Sequence, residues 1–215
     1  MAQGETASGL YAVLEAGPAA AACLSAALEA ADLASLLIVP AAGSSLVPGA
    51  AKPLIDMAQR ADTAALVAGD AELARALGAD GVHLSAAKDL AGAYARARGI
   101  LGPRGIVGVD VGISRHDAMT LAEAGADYIA FGAPAHLKDR AKARARRDEL
   151  IAWWGEIFQA PCVAFDVEAA EEAEALARAG ADFIAIGLPT GAGPGVTRLF
   201  VAEIAAALGA RADAS

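Results

Sequence analysis

Four carboxylates stand where apolar runs give out. Glu15 follows Leu10–Leu14, Asp70 closely follows Ala65–Val67, Asp110 follows Ile106–Val109, and Asp166 follows Cys162–Phe165. Read as parallel strands of a closed sheet, these runs are the first, third, fifth and seventh, and alternate strands send side chains into one layer. Acids converging without a cation repel each other, so some carboxyl pKa values rise or a metal is required. Glu15, Asp110 and Asp166 are therefore expected to line one cavity, with Asp70 at its edge. Such a cavity favours a cationic or metal-bridged ligand over a bare phosphate. The competing reading is that these acids cap the helices that follow, most readily Asp70 and Asp166. Asp110 suits a cap less well, because Val-Gly follows it rather than a helical pattern.

Other groups near the strand ends also bear on chemistry. His136 falls in the loop after the sixth run and is placed for acid–base work, alongside Asp110. His83 lies inside the fourth run and reads as a hydrogen-bonded core residue, while His116 belongs to the first turn of a helix. Ser85 closes the fourth run. The segment Gly187-Leu-Pro-Thr-Gly-Ala-Gly-Pro-Gly195 brings Gly187, Thr190, Gly191 and Gly193 to the start of the last helix. It reads either as a backbone nest for phosphate or as a plain Gly-Pro turn. Asp166 and Glu168 would repel a phosphate there. There is no Cys/His cluster, Ser-His-Asp order or Walker loop.

The elements that must position these groups are legible from one phrase in three copies: Leu77-Gly-Ala-Asp-Gly-Val-His-Leu84, Ala124-Gly-Ala-Asp-Tyr-Ile-Ala-Phe-Gly132 and Ala179-Gly-Ala-Asp-Phe-Ile-Ala-Ile-Gly187. Each reads as a helix end, a glycine cap, a turn in which Asp bonds its own backbone, and a short strand. The copies begin 47 and then 55 residues apart, two helix–strand units each. The remaining strands are Leu36–Val39 and the four runs above, with Gly81–Leu84, Tyr128–Phe131 and Phe183–Ile186 inside the phrases. Ala-rich stretches with helical spacing occupy 17–33, 50–61, 70–77, 87–99, 114–124, 142–158, 168–179 and 195–208. Eight short, mostly apolar strands alternating with eight helices predict a single α/β domain over 1–215, a (β/α)8 barrel of the TIM type, with 1–8 and 210–215 as loose tails. An open doubly wound sheet is the competing arrangement.

Composition narrows the class. A chain of 215 residues that is 56% hydrophobic supports one sizeable core. No apolar run reaches the roughly 18 residues of a membrane span, and Met1-Ala-Gln-Gly-Glu lacks the pattern of a signal peptide. Two cysteines, Cys23 and Cys162, make no disulfide framework, so a cytoplasmic setting is expected. A net charge of −9 argues against nucleic acid as a partner. Against that balance, Lys138, Arg140, Lys142, Arg144, Arg146 and Arg147 crowd into one segment. It reads as a solvated helix face or as a basic lid that attracts an anion. Trp153 and Trp154 are expected to pack on the barrel wall.

These phrases resemble the thiamine phosphate synthase family and its TenI thiazole tautomerase relatives. Leu10-Tyr-Ala-Val-Leu-Glu15 is similar to the family's opening Leu-Tyr-x-Val-Thr-Asp, and Gly78-Ala-Asp-Gly-Val-His-Leu84 matches its most recognisable phrase. Ile106-Val-Gly-Val109 and the second and third Gly-Ala-Asp copies match its later strands. The resemblance implies a barrel of thiamine biosynthesis, Mg²⁺ as the cofactor, and a thiamine precursor or other phosphorylated or cationic metabolite as the ligand.

The functional positions depart from that pattern. The family's Gln-x-Arg at strand two becomes Leu37-Ile-Val-Pro40, and its Asn-Asp after strand three becomes Ala68-Gly69. The magnesium-binding acid falls on Lys88, or on Asp89 with a shift of one residue, leaving Asp89 and Asp110 as the metal candidates. The family's Ser after strand five becomes Asp110. The Gly-Pro-x-Phe-x-Thr-x-Thr-Lys loop becomes Gly132-Ala-Pro-Ala-His-Leu-Lys-Asp-Arg140, and the phosphate-holding Gly-Gly becomes Asp166-Val167. The tautomerase histidine falls on Ala133, three residues before His136. Standard synthase activity is therefore not expected. As an enzyme the chain would be a synthase-like transferase or a tautomerase-like isomerase. The alternative is a non-catalytic regulatory or partner-binding paralogue that docks through 138–147. A homo-oligomer is compatible with the sequence.

Overall fold

A computed structural model describes residues 8–133 and 137–209. Strands and helices alternate as β1 (Gly9–Glu15), α1 (Ala20–Ala30), β2 (Leu33–Val39), α2 (Pro48–Arg60), β3 (Ala64–Ala68), α3 (Ala71–Leu77), β4 (Gly81–Leu84), α4 (Leu90–Leu101), β5 (Ile106–Asp110), α5 (Arg115–Glu123), β6 (Tyr128–Phe131), α6 (Arg140–Ile157), β7 (Cys162–Val167), α7 (Ala170–Arg178), β8 (Phe183–Gly187) and α8 (Pro194–Gly209). All eight neighbouring strand pairs are parallel, and the sheet closes where β1 pairs with β8, from Gly9 against Phe183 to Val13 against Gly187. The open-sheet arrangement is excluded by that pairing. Of the expected tails, only Ser8 falls among the described residues; its hydroxyl donates to Ala181 O at 2.7 Å.

The Gly-Ala-Asp phrases join neighbouring strands in pairs. Gly78, Gly125 and Gly180 have φ of 69°, 90° and 107°, a region that favours glycine, and they turn each helix end into the next strand. The aspartates do not close their own turns, as the sequence suggested. Asp80 accepts from Ala65 N–H at 2.8 Å, Asp127 from Val107 N–H at 2.7 Å, and Asp182 from Cys162 N–H at 2.7 Å. Each carboxylate thus reaches the start of the preceding odd strand. It satisfies a backbone donor there that would otherwise need another partner.

Element boundaries differ from the sequence reading by up to three residues, and two of the shifts have a local cause. β2 begins at Leu33 rather than Leu36, because Ser35 pairs with both Tyr11 and Ala64 and carries the Ala-rich stretch into the sheet. α6 begins at Arg140, because Asp139 accepts from Lys142 N–H at 3.0 Å and caps it.

Period-two alternation sorts the strands into two cores. Outward residues such as Leu10, Leu14, Leu36, Ile38, Val107 and Ile184 lie under the helices. Inward residues Tyr11, Leu37, Leu66, Tyr128, Ala130, Val163 and Ala185 fill the barrel. Trp154 is buried in the outer core and donates to Ala160 O at 2.7 Å, which makes it the packing residue expected. Cys23 and Cys162 are buried free thiols. Among the described residues, no helix is long and apolar enough to cross a membrane.

Candidate functional site

Below the strand ends, the barrel encloses a short polar chain. Tyr11 and Tyr128 hydroxyls meet at 2.9 Å, and Tyr128 Oη lies 2.8 Å from His83 Nδ1. Two proton arrangements satisfy the chain: Tyr11 donates to Tyr128 and Tyr128 to a neutral imidazole, or the imidazole Nδ1–H donates to Tyr128 and Tyr128 to Tyr11. Burial pushes His83 down to about 4 and both phenols upward, so the chain stays uncharged near neutrality. Its space is made by Gly108, where an added Cβ would sit 1.9 Å from Tyr128 Cζ. Phe165 stacks on His83 with centroids 4.9 Å apart and meets Tyr11 edge-on at 5.4 Å. His83 is the hydrogen-bonded core residue that the sequence suggested.

At the carboxyl ends of β5, β6 and β7, two of the four expected acids come together. Asp110 ends β5 and accepts from Gly112 N–H at 2.7 Å. Asp166 lies where the β7–β8 register breaks, at φ 60°, and its Oδ2 accepts from Ala133 N–H at 2.8 Å. Both flank Gly132: an added Cβ there would stand 3.3 Å from Asp166 Oδ2 and 3.8 Å from Asp110 Oδ1. Burial pushes the Asp110 carboxyl up to about 6. The Gly112 amide opposes that rise, and the Asp166 charge adds to it. A carboxyl titrating there can accept or release a proton near neutral pH.

Arg147 bonds the backbone on both sides of the turn at Asp166. This side chain has no exposed surface and donates to Phe165 O at 2.7 Å, Asp166 O at 3.1 Å and Glu172 Oε1 at 2.6 Å. Glu172 in turn accepts from Glu168 N–H at 2.9 Å, so α6 and α7 clamp the loop after β7. Arg140 donates to Ala133 O, and Arg144 pairs with Glu168 at 2.5 Å. That pairing holds the Glu168 carboxyl below its ordinary range.

The other sequence candidates occupy different surroundings. Glu15 ends β1 with the inward parity of Tyr11 and Val13 and, like Asp166, is exposed. Asp70 caps α3, accepting from Leu73 N–H at 2.9 Å, so the capping reading describes it. Asp166 takes no such role, since Ala169 precedes α7. Ser85 follows β4 in an exposed position. In loop eight, Thr190–Ala192 forms a single 3₁₀ turn after Gly187. The amides of Thr190 and Ala192 bond Leu188 O and Pro189 O at 2.8 and 3.0 Å, which removes two donors from the expected nest. Gly193, at φ 86°, leads into α8, and Gly191 lies within the turn. His136 lies outside the described residues, whereas His116 is in the first turn of α5 as expected.

The two magnesium candidates that the resemblance implies, Asp89 and Asp110, each accept a nearby backbone amide. Asp89 caps α4, accepting from Gly92 N–H at 3.0 Å, and sits 3.6 Å from Arg96. Among the described residues, no three His, Cys, Asp or Glu side chains are grouped to hold a metal.

Sequence reasoning missed Arg147 as a buried clamp and Gly132 as the meeting point. Arg147 was counted with its charged neighbours. Its signal was its place seven residues after Arg140, on one helical face. Gly132 could have been found by counting inward in twos along β6 from Tyr128 and Ala130.

Comparison with known proteins agrees with this fold. A family model described as thiamine monophosphate synthase matches residues 10–188. The thiamine-phosphate synthase of Erythrobacter litoralis is 38% identical over 161 residues, covering 73% of this chain and 74% of that protein. The thiamine-phosphate synthase of Rhodospirillum centenum is 37% identical over 164 residues, covering 76% and 78%. Thiamine phosphate pyrophosphorylase from Pyrococcus furiosus superposes with a TM-score of 0.74 at 21% identity, covering 95% of this chain and 96% of that one, a likeness of fold. By the family model and these relatives, the chain belongs to the thiamine monophosphate synthase family.

Proposed function

We propose that this barrel keeps the family's fold and a strand-end ligand site but not its pyrophosphate-displacing chemistry, and that the mouth receives a small cationic ligand. The pairing of Asp110 and Asp166 across Gly132 carries this reading. Displacing a pyrophosphate needs cations and fixed donors on the leaving group. Here two carboxylates stand at positions where the resemblance implies Ser and Gly-Gly. Arg140, aligned with the loop-six lysine, is turned to the Ala133 carbonyl.

A cation between the two acids would replace their mutual repulsion by attraction and favour ionised Asp110. With its carboxyl near 6, Asp110 is the group suited to move a proton on such a ligand, which favours isomerase-type over transferase-type chemistry. The reading of 138–147 as a partner-docking surface ranks second, because Arg140, Arg144 and Arg147 already have intramolecular partners.

The test is an assay of the purified chain with both thiamine precursors and Mg²⁺, beside an active synthase. Turnover on the order of a hundredfold or more below that enzyme is expected, the scale of losing fixed charge stabilisation. Turnover near the ordinary enzyme's would refute the proposal. In a thermal-shift series, thiamine with its thiazolium cation should raise Tm and pyrophosphate should not. Asp110→Asn should remove the thiamine effect.

A further inference from the structure

The basic segment of α6 is two stripes with different employment. Arg140, Arg144 and Arg147 face the loops after β6 and β7, bonded to Ala133 O, Glu168, Phe165 O, Asp166 O and Glu172. Lys142 and Arg146, four residues apart in α6, lie on one helical face, and Lys138 precedes the helix by two residues. These three line a separate cleft of about 290 Å³, together with Ile113, Leu137 and Ala143. The ammonium groups of Lys138 and Lys142 have no side-chain partner among the described residues. Arg146 keeps a half-exposed pair with Glu149 at 2.8 Å. The one acid in the lining, Asp139, has Oδ1 committed to Lys142 N–H.

We infer that this cleft binds a small organic anion with a phosphate or carboxylate head and an apolar body about the size of one ring. The head answers the three cations, and the first turn of an 18-residue helix adds to their field, partly offset by Asp139. The body answers Ile113, Leu137 and the lysine stems. A bare phosphate leaves that wall in water, and a neutral ring leaves the cations unpaired. The volume is at the small end of ligand pockets, roughly 300 Å³. The cleft shares no lining residue with Asp110, Gly132 and Asp166, so the inference stands independently of the mouth.

Phenyl phosphate is the probe, titrated calorimetrically into the full chain at low salt, beside inorganic phosphate and phenol. Phenyl phosphate should bind at least about tenfold more tightly than either, and added salt should weaken it. The double variant Lys138→Ala, Lys142→Ala removes two exposed side chains and should fold normally, as a melting curve will show. It should lose about tenfold or more in affinity. Three results would overturn the inference: no binding at millimolar probe, equal affinity for inorganic phosphate, or affinity unchanged in the double variant. An affinity that ignores the lysines and rises in Asp110→Asn would move the anion to the mouth, contradicting both this site and the cationic reading of that mouth.

Discussion

Asp110 and Asp166 approach one glycine from two different strands: a methyl at Gly132 would meet Asp166 Oδ2 at 3.3 Å and Asp110 Oδ1 at 3.8 Å. Neither acid has a side-chain cation in direct contact among the described residues, and burial makes Asp110 expensive to ionise.

That cost makes stability depend on pH with a definite sign. The folded carboxyl of Asp110 is raised to about 6 from an ordinary 3.8. Its contribution is fully present below 3.8 and is lost as pH rises through 6. Asp110→Asn keeps an acceptor for Gly112 N–H and removes the charge. The variant should gain up to about 3 kcal/mol at pH above the folded value and much less in acid. Urea unfolding at a mildly acidic and a mildly alkaline pH measures the difference; an equal gain at both would show that Asp110 is not the titrating group.

Arg147 offers a second measurement. Removing one member of a buried ionic network leaves the others without partners, a loss of about 3–5 kcal/mol. Arg147→Met should therefore cost that much in chemical denaturation, while Arg144→Met, at an exposed pair with Glu168, should cost less than about 1 kcal/mol. Equal costs would mean the clamp on Asp166 is no stronger than a surface ion pair.

The tyrosine chain predicts an asymmetry. Tyr128 sits between two partners and Tyr11 at the end. Tyr128→Phe leaves both His83 Nδ1 and the Tyr11 hydroxyl without their partner, at about 2–3 kcal/mol, and Tyr11→Phe removes only the terminal hydrogen bond, at about 1 kcal/mol. A thermal-melt series with the double variant tests it, and a reversed order would show that the hydroxyls are satisfied in another way.

Gly108→Ala places a methyl within the Tyr128 ring, 1.9 Å from Cζ. The ring cannot yield without disturbing Tyr11 and His83, so a loss of about 2–3 kcal/mol or more is expected. Gly108→Ala combined with Tyr128→Ala should lose less than the sum of the two single changes. Strict additivity in unfolding measurements would count against the packing.

The order of residues was enough to determine the barrel and its eight strands. Helix caps, turns and period-two alternation are set within a few residues, and the three Gly-Ala-Asp phrases repeat that local code. Even Asp70 and Asp89, as caps, answer to amides three residues away. What residue order did not reveal was which strand-end acid serves as a cap and which faces the mouth. Asp166 finds its amide at Ala133, 33 residues earlier, and is held there by Arg147, 19 residues earlier. The three Gly-Ala-Asp carboxylates likewise cross to the preceding strand, 15 to 20 residues away. Barrel closure brings these partners together, because neighbouring strands are separated in sequence by whole helices. Only the tertiary structure could decide the site.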